Sequence, residues 1–195
     1  VGSEMCIRDS AVAAEAQDLL RGKDNAKILL LIGPGNNGAD TIYAGARLSA
    51  KGHRVDAVIF DSSEKNLELI AREGGEGTRV LDPEHTHEQL AGYDLTIDGI
   101  LGTGSSGAVR GSAGEYLGVL RAAQLDGKLG AVLAVDTPSG VDNNRGTVHE
   151  PSLRADRTVT FIGHKLPAGT SHSVHSGDIK LYAVSYTHLR AHETV

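Results

Sequence analysis

The sequence has no tryptophan, and aromatic residues make up only 4% of it. An aromatic platform for stacking nucleic-acid bases is therefore not expected. The one cysteine, Cys6, and the one methionine, Met5, both lie among the first ten residues. The remaining chain has neither disulfide nor thiol chemistry. No apolar run approaches the ~20 residues that span a bilayer, and no secretory signal pattern opens the chain. Cationic excess is also missing: 19 Lys and Arg stand against 25 Asp and Glu, a net charge of -6. That balance argues against nucleic acid and anionic membrane as partners, but leaves room for a local basic pocket that takes a phosphate. The expected location is the cytoplasm.

What the sequence does have is enough chain for one domain with a sizeable core, 195 residues of which 39% are hydrophobic. It is rich in glycine, with 25 residues, most of them between apolar runs, where they mark turns and close backbone approaches. The ends "VGSEMCIRDS" and "VSYTHLRAHETV" resemble recurring strings translated from sequencing adaptors. Residues 1–10 and 185–195 are accordingly read as non-native tails, and 11–184 as one domain shortened at its N-terminus.

Strand and helix signals alternate along that domain. Residues 11–21 form a breaker-free helical stretch, and "KILLLI" (27–32) is the continuous apolar run of a strand buried on both faces. A helix is expected over 41–51, stopped by Gly52, and a strand over 54–60. Ser62 or Ser63 would cap a helix carrying Leu67, Ile70 and Ala71 on one side, ended by Gly74 and Gly75. Strands follow over 94–101, 130–136 and 158–162, with a sixth over 178–184, and a helix over 112–123. This order predicts an α/β, three-layer Rossmann-like fold: a mostly parallel sheet with helices on both faces. Right-handed crossovers would put all the strands' C-terminal ends on one edge, where open α/β sheets bind ligands.

Three loops would meet there. The first, 33–40, contains G-x-G-x-x-G, which lets backbone approach a ligand at a helix N-terminus. Its Asn36, Asn37 and Asp40 add amide donors and hard oxygen ligands that phosphate binding alone does not need. The second, 98–107, holds another G-x-G-x-x-G with Ser105 and Ser106 as extra donors. The third, 136–142, holds Pro138, Ser139 and Gly140. Asp98 and Asp136 end their strands after apolar residues, where a carboxylate is costly unless hydrogen-bonded, ion-paired or metal-bound. No G-x-S-x-G elbow or P-loop signature is present. His85, His87, His172 and His175 sit in polar stretches without matched metal partners, and Lys165 is a candidate phosphate contact or a surface lysine. Two alternatives stay open on these residues. One is a dehydrogenase using intact NAD(P), with Asp61 on the ribose. The other is a non-catalytic nucleotide-binding or interaction scaffold.

The combination "GPGNNGAD…IDGILGTG…VDTPSGVD…RADRTVTFIGHKLPAG…GDIKL" resembles the NAD(P)H-hydrate epimerase family, the YjeF N-terminal domain, over about residues 11–183. The resemblance implies an isomerase for cofactor repair. Such an enzyme interconverts the R and S forms of NADH or NADPH hydrated at C6, so that an ADP- or ATP-dependent hydrate dehydratase, fused or separate, can act on both. It further implies that Asn36, Asn37, Gly38, Ala39 and Asp40 contact the hydrate. Gly102, Thr103, Gly104, Ser105, Ser106, Gly107 and Ala108 would hold its phosphates, and Asp136 would face the reacting ring as the catalytic group. One potassium ion per subunit would be held by Asn37, Asp98 and Ser139, and the chain would form a homodimer or larger. Ala39 and Thr41 replace glycines of the family's NNGGDG, and Thr137 replaces the usual isoleucine; neither departure removes a proposed ligand.

Overall fold

A computed structural model describes residues 2–60, 64–75, 77–83, 92–102, 104–142, 144–161 and 173–182. In chain order the elements are α1 (Gly2–Leu20), β1 (Lys27–Ile32), α2 (Asn36–Ala50), β2 (Arg54–Ile59), α3 (Glu64–Glu73) and β3 (Thr78–Leu81). Then come β4 (Leu95–Gly99), α4 (Gly111–Leu125), β5 (Ala131–Val135), β6 (Val141–Asp142), β7 (Thr147–Val148), β8 (Arg157–Thr160), α5 (Ser173–Ser176) and β9 (Asp178–Leu181). The main sheet has seven strands in the order β3-β2-β1-β4-β5-β8-β9, and every pairing in it is parallel. β6 and β7 form a small antiparallel hairpin. This is an α/β Rossmann-like fold of three layers. Among the described residues no helix is long and apolar enough to cross a membrane.

Alternation along β1 explains the layers. Ile28, Leu30 and Ile32 face a core built with α1, α2 and α3, while Leu29 and Leu31 face a second core built with α4. A strand buried on both faces has no reason to alternate polar and apolar residues, which is why "KILLLI" reads as one run. Both β2 and β4 pair with β1, so the strand order reverses direction between β1 and β4. The crevice at that switch point, beyond the strands' C-terminal ends, is the ligand position of such sheets.

Several boundaries differ from expectation. α1 begins at Gly2 rather than at 11. It docks from its middle to its C-terminal end: Arg47 Nε donates to Asp9 Oδ2 at 3.2 Å, and Arg157 ties β8 to Glu15 and Asp18 at 2.6 Å each. α2 begins at Asn36, not 41, with Gly35 at its N-cap, so the presumed loop residues 36–40 are its first turn. On α3 the buried side is Asn66, Leu69 and Ile70, while Leu67 is 47% exposed and Ala71 is exposed. The reason is chemical: Asn66 Nδ2 donates to Gly33 O at 2.8 Å, so a polar residue takes a buried position. β3 and the β6–β7 hairpin were not expected, being short and half exposed. Ser62, Ser63 and the last residues of the expected strands over 158–162 and 178–184 lie outside the described residues.

Candidate functional site

The three glycine- and aspartate-bearing loops do meet, at the ends of β1, β4 and β5. Gly33 makes the first junction. Its N–H donates to Gly99 O at 3.2 Å, and a Cβ on it would overlap the Ile100 carbonyl. Only glycine lets the two loops touch here. Gly38 repeats the device one turn later, where a Cβ would overlap Gly33 O. The two loops together line a cleft of about 240 Å³, bounded by residues 34–37 and by Ile100, Leu101, Gly102, Gly104 and Ser105.

Asn37 is the hub. It is buried, and its Nδ2 donates to Leu101 O and Val135 O, both at 3.1 Å. One amide thus ties α2 to the ends of β4 and β5. A Cβ on Gly102 would lie 2.7 Å from that Nδ2 and 3.3 Å from Asp136 Oδ2. Asn37, Gly102 and Asp136 therefore converge on one small volume.

Asp98 is fully buried at the end of β4. Ser139 supplies two donors to it: Oγ to Oδ1 at 2.6 Å and the backbone N–H to Oδ2 at 2.8 Å. Ile100 N–H adds a third at 3.3 Å, and Leu101 N–H donates to Ser139 Oγ at 3.1 Å. Burial pushes the Asp98 carboxyl above its ordinary pKa, and the hydrogen bonds from Ser139 and Ile100 pull the other way. A carboxylate has about four acceptor positions. Among the described residues three are used and one remains.

Asp136 follows β5 with a left-handed backbone, φ +70°, rare outside glycine. Its N–H donates to Val159 O at 2.6 Å, and Thr160 Oγ donates to its Oδ1 at 3.3 Å. Asp40 lies one turn into α2 and is 2% exposed. Burial raises its pKa, the Arg8 hydrogen bond and charge lower it, and the charges of Asp9 and Asp136 add to the rise.

The remaining expected residues divide. Asn36 is exposed and lines the cleft. Ala39 packs into the core with α1 and α2. Ser106 and Ala108 are exposed, and Gly107 turns the loop at φ +88°. Thr103, Asp61, Lys165, His85, His87 and His172 lie outside the described residues. His175 is not a solvated loop histidine: it is mostly buried on α5, at the opposite sheet edge, 3.7 Å from Glu150. Three neighbours of the site escape a reading of motifs alone: Arg8, Thr160 and Asn66. Thr160 had a detectable signal, a hydroxyl at the C-terminal end of an apolar strand. Arg8 had none.

The model of the family described as YjeF-related protein N-terminus matches residues 5–166. The bifunctional NAD(P)H-hydrate repair enzyme Nnr of Mycobacterium tuberculosis is 32% identical over 139 residues, 71% of this chain and 27% of that protein. The NAD(P)H-hydrate epimerase of Microbacterium testaceum is 38% identical over 136 residues, 69% of this chain and 52% of that protein. The chain thus spans between about a quarter and a half of the length of these relatives. Among solved structures, the yeast protein ynu0 (YNL200c) superposes with a TM-score of 0.72 at 20% identity, over 92% of this chain and 76% of that one, which is a likeness of fold.

Proposed function

Since this chain belongs to the YjeF-related N-terminal family, we propose that it is an NAD(P)H-hydrate epimerase acting in nicotinamide cofactor repair. The observation that carries this reading is the convergence of Asn37, Gly102 and Asp136 at the switch point, 2.7 and 3.3 Å from one Cβ position. A hydride-transfer enzyme needs no carboxylate and amide at that place. A reaction that moves a hydroxyl and a proton at one ring carbon does.

The hydrate's C6 carries both the hydroxyl and the ring nitrogen. The nitrogen lone pair forms the N1=C6 double bond of an iminium as the C6–O bond breaks. Asp136 gives its proton to the departing oxygen, which leaves as water. Water then adds to C6 on the opposite ring face, its electrons returning the N1=C6 pair to nitrogen, and the Asp136 carboxylate takes the proton back. The second glycine loop, from Gly102 through Ala108, is assigned to the phosphates, and Asn36 to Asp40 to the hydrated ring. Domain limits of 11–184 go with this reading. So do a fused or separate ADP- or ATP-dependent dehydratase as partner and a homodimer or larger assembly.

The donor chemistry fits a potassium ion. Asn37, Asp98 and Ser139 offer hard oxygens, and Asn37 Nδ2 already places an electropositive group between the carbonyls of Leu101 and Val135. Bound there, the ion would add positive charge and brace the three loops. Asp98 keeps one acceptor position for it.

The test is epimerisation of the purified R hydrate, with potassium chloride or choline chloride, followed by chromatography that separates the epimers. Conversion above the spontaneous rate and stimulated by potassium is expected. A folded protein that leaves the spontaneous rate unchanged would refute the reading.

A further inference from the structure

The backbone around Asp136 is tied on both sides. Its own N–H donates to Val159 O at 2.6 Å, and the next N–H, of Thr137, closes back onto Val135 O at 2.9 Å. A hydrogen bond that spans one residue at φ +70° makes a γ-turn of the rare and strained form. The carboxyl is not fixed by this, because the torsion that turns an Asp carboxyl is broad and two-fold. Thr160 limits that torsion. It is 2% exposed, and its Oγ donates to Asp136 Oδ1 at 3.3 Å.

Thr160 is itself held in place. It ends β8, its carbonyl accepts from Tyr182 N–H at 3.0 Å, and a β-branched side chain has few χ1 choices. Thr158, two residues earlier, shares its strand face and offers a comparison. Thr158 is equally buried, but its hydroxyl donates to a backbone carbonyl, Ser176 O, at 2.7 Å. Of two alternate threonines, one ties α5 to the sheet and the other meets a carboxylate at the crevice.

That contact makes the two oxygens of the Asp136 carboxyl unlike. Oδ1 accepts from Thr160, while Oδ2 lies 3.3 Å from the Cβ position of Gly102, which is 2.7 Å from Asn37 Nδ2. A carboxyl that gives and retakes one proton at a fixed place needs this distinction. We propose that Thr160 is a positioning residue for Asp136: its hydroxyl makes Oδ2 the oxygen that carries the proton and holds it toward the crevice. The role rests on the epimerase reading. The Oδ2–H bond breaks as the C6 hydroxyl leaves as water, and the charge left on the carboxylate spreads to Oδ1. The bond from Thr160 then becomes charge-assisted, hence shorter and stronger. A separation of 3.3 Å leaves room for that tightening, and catalytic hydrogen bonds often tighten only as the reacting state forms. When water adds to the other ring face, Oδ2 takes the proton back and the bond relaxes. Thr160 thus supports Asp136 most while the iminium exists, so its loss falls on turnover rather than on binding.

The experiment measures kcat and KM for epimerisation of the R hydrate, spontaneous conversion subtracted, in wild type, Thr160→Val, Thr160→Ser and Thr158→Val. Thr160→Val should lower kcat about 10–100-fold, the worth of a hydrogen bond to a charged group, and leave KM within about twofold. Thr160→Ser keeps the hydroxyl and should recover kcat to within about threefold. Thr158→Val removes the bond to Ser176 O and should keep kcat within about twofold, since no carboxylate depends on it. Four results overturn the proposal: Thr160→Val with a wild-type kcat, a loss that Thr160→Ser does not recover, a loss carried by KM, or an equal loss of kcat in Thr158→Val. Thermal unfolding checks each variant. If Thr160→Val fails to fold, Thr160→Ala, which removes the hydroxyl without putting a methyl in its place, replaces it under the same criteria. A folded wild type that leaves the spontaneous rate unchanged refutes the epimerase reading and the proposal with it. An active wild type beside an equally active Thr160→Val refutes the proposal alone.

Discussion

Replacing Asn37 by alanine tests whether one amide holds the site together. The change removes two hydrogen bonds of 3.1 Å, to Val135 O and to Leu101 O, besides the long 3.4 Å one that Asn37 Oδ1 accepts from the part-exposed Arg8. Val135 is fully buried, but its carbonyl still accepts from Thr137 N–H at 2.9 Å, so the loss there is that of one net hydrogen bond, about 0.5–1.5 kcal/mol. Leu101 is partly exposed, and rehydration limits its loss to about 0.5–1.5 kcal/mol. Alanine is the better helix former, which returns roughly half a kcal/mol. The sum is a destabilisation of about 0.5–2.5 kcal/mol. At roughly 2–4 °C per kcal/mol for a chain of this size, the melting temperature should fall by about 1–10 °C. Calorimetry and urea denaturation both read this, and urea should show a lower midpoint with an unchanged slope. An unchanged melting temperature would refute the argument, because it would mean that neither carbonyl depends on the Asn37 amide. A lowered slope would point instead to a change in native compactness.

Three further outcomes are expected. Asp136→Asn should lower epimerisation by about 10²–10⁴-fold while NADPH binding stays within a few-fold, because asparagine tolerates the left-handed backbone but cannot trade the proton; a near-normal rate would remove Asp136 from the chemistry. Gly38→Ala should cost about 1–3 kcal/mol and about 10²-fold in rate, since its Cβ would overlap the Gly33 carbonyl and push the first turn of α2 off the loop; denaturation and steady-state kinetics check the two parts. Tyr182 donates to Glu15 Oε1 at 2.6 Å, and its pKa is pushed up to about 12 from an ordinary 10, first by that hydrogen bond and then by burial. The folded value lies above the unfolded one, so this contribution is whole below pH 10 and is lost as pH rises through 12. Wild type should therefore lose stability relative to Tyr182→Phe between those values in denaturant titrations, and parallel curves would refute the coupling.

The sequence made the centre of the sheet legible and its rim obscure. β1 and β5 are nearly continuous apolar runs because both their faces are covered, and such runs need no periodicity to be seen, while β2 and β4 keep enough apolar residues around Asp56, Thr96 and Asp98 to read as strands. β3 has only four residues, with Arg79 and Val80 exposed, and an edge strand covered on one side leaves little apolar signal. The start of α2 was hidden for another reason. Gly-Asn-Asn-Gly has turn composition, yet in a strand-to-helix junction the same residues can cap and open a helix, with the loop reduced to Gly33 through Gly35. Asn66 misled in its own way: a polar residue on the buried side of α3 shifts the apparent apolar stripe by one position, toward Leu67. Convergence of the three loops was legible, since parallel strands force it. The contacts of Arg8 with Asp40 and of Thr160 with Asp136 join distant positions, and no local pattern announces them.

Glycine and aspartate divide the labour of the site in a way that strain makes visible. Gly33 and Gly38 are glycines because neighbouring carbonyls leave no room for a Cβ. Asp136 is the opposite case: at φ +70° glycine would relieve strain of about 1–3 kcal/mol, yet the position carries a carboxylate. Backbone geometry does not demand it. What the left-handed turn accomplishes is to carry the chain from Val135, whose carbonyl meets Asn37, to a side chain whose Oδ2 lies beside Gly102. The strain at Asp136 thus accompanies a carboxylate aimed at the volume between the two glycine loops, as the catalytic role proposed for it requires.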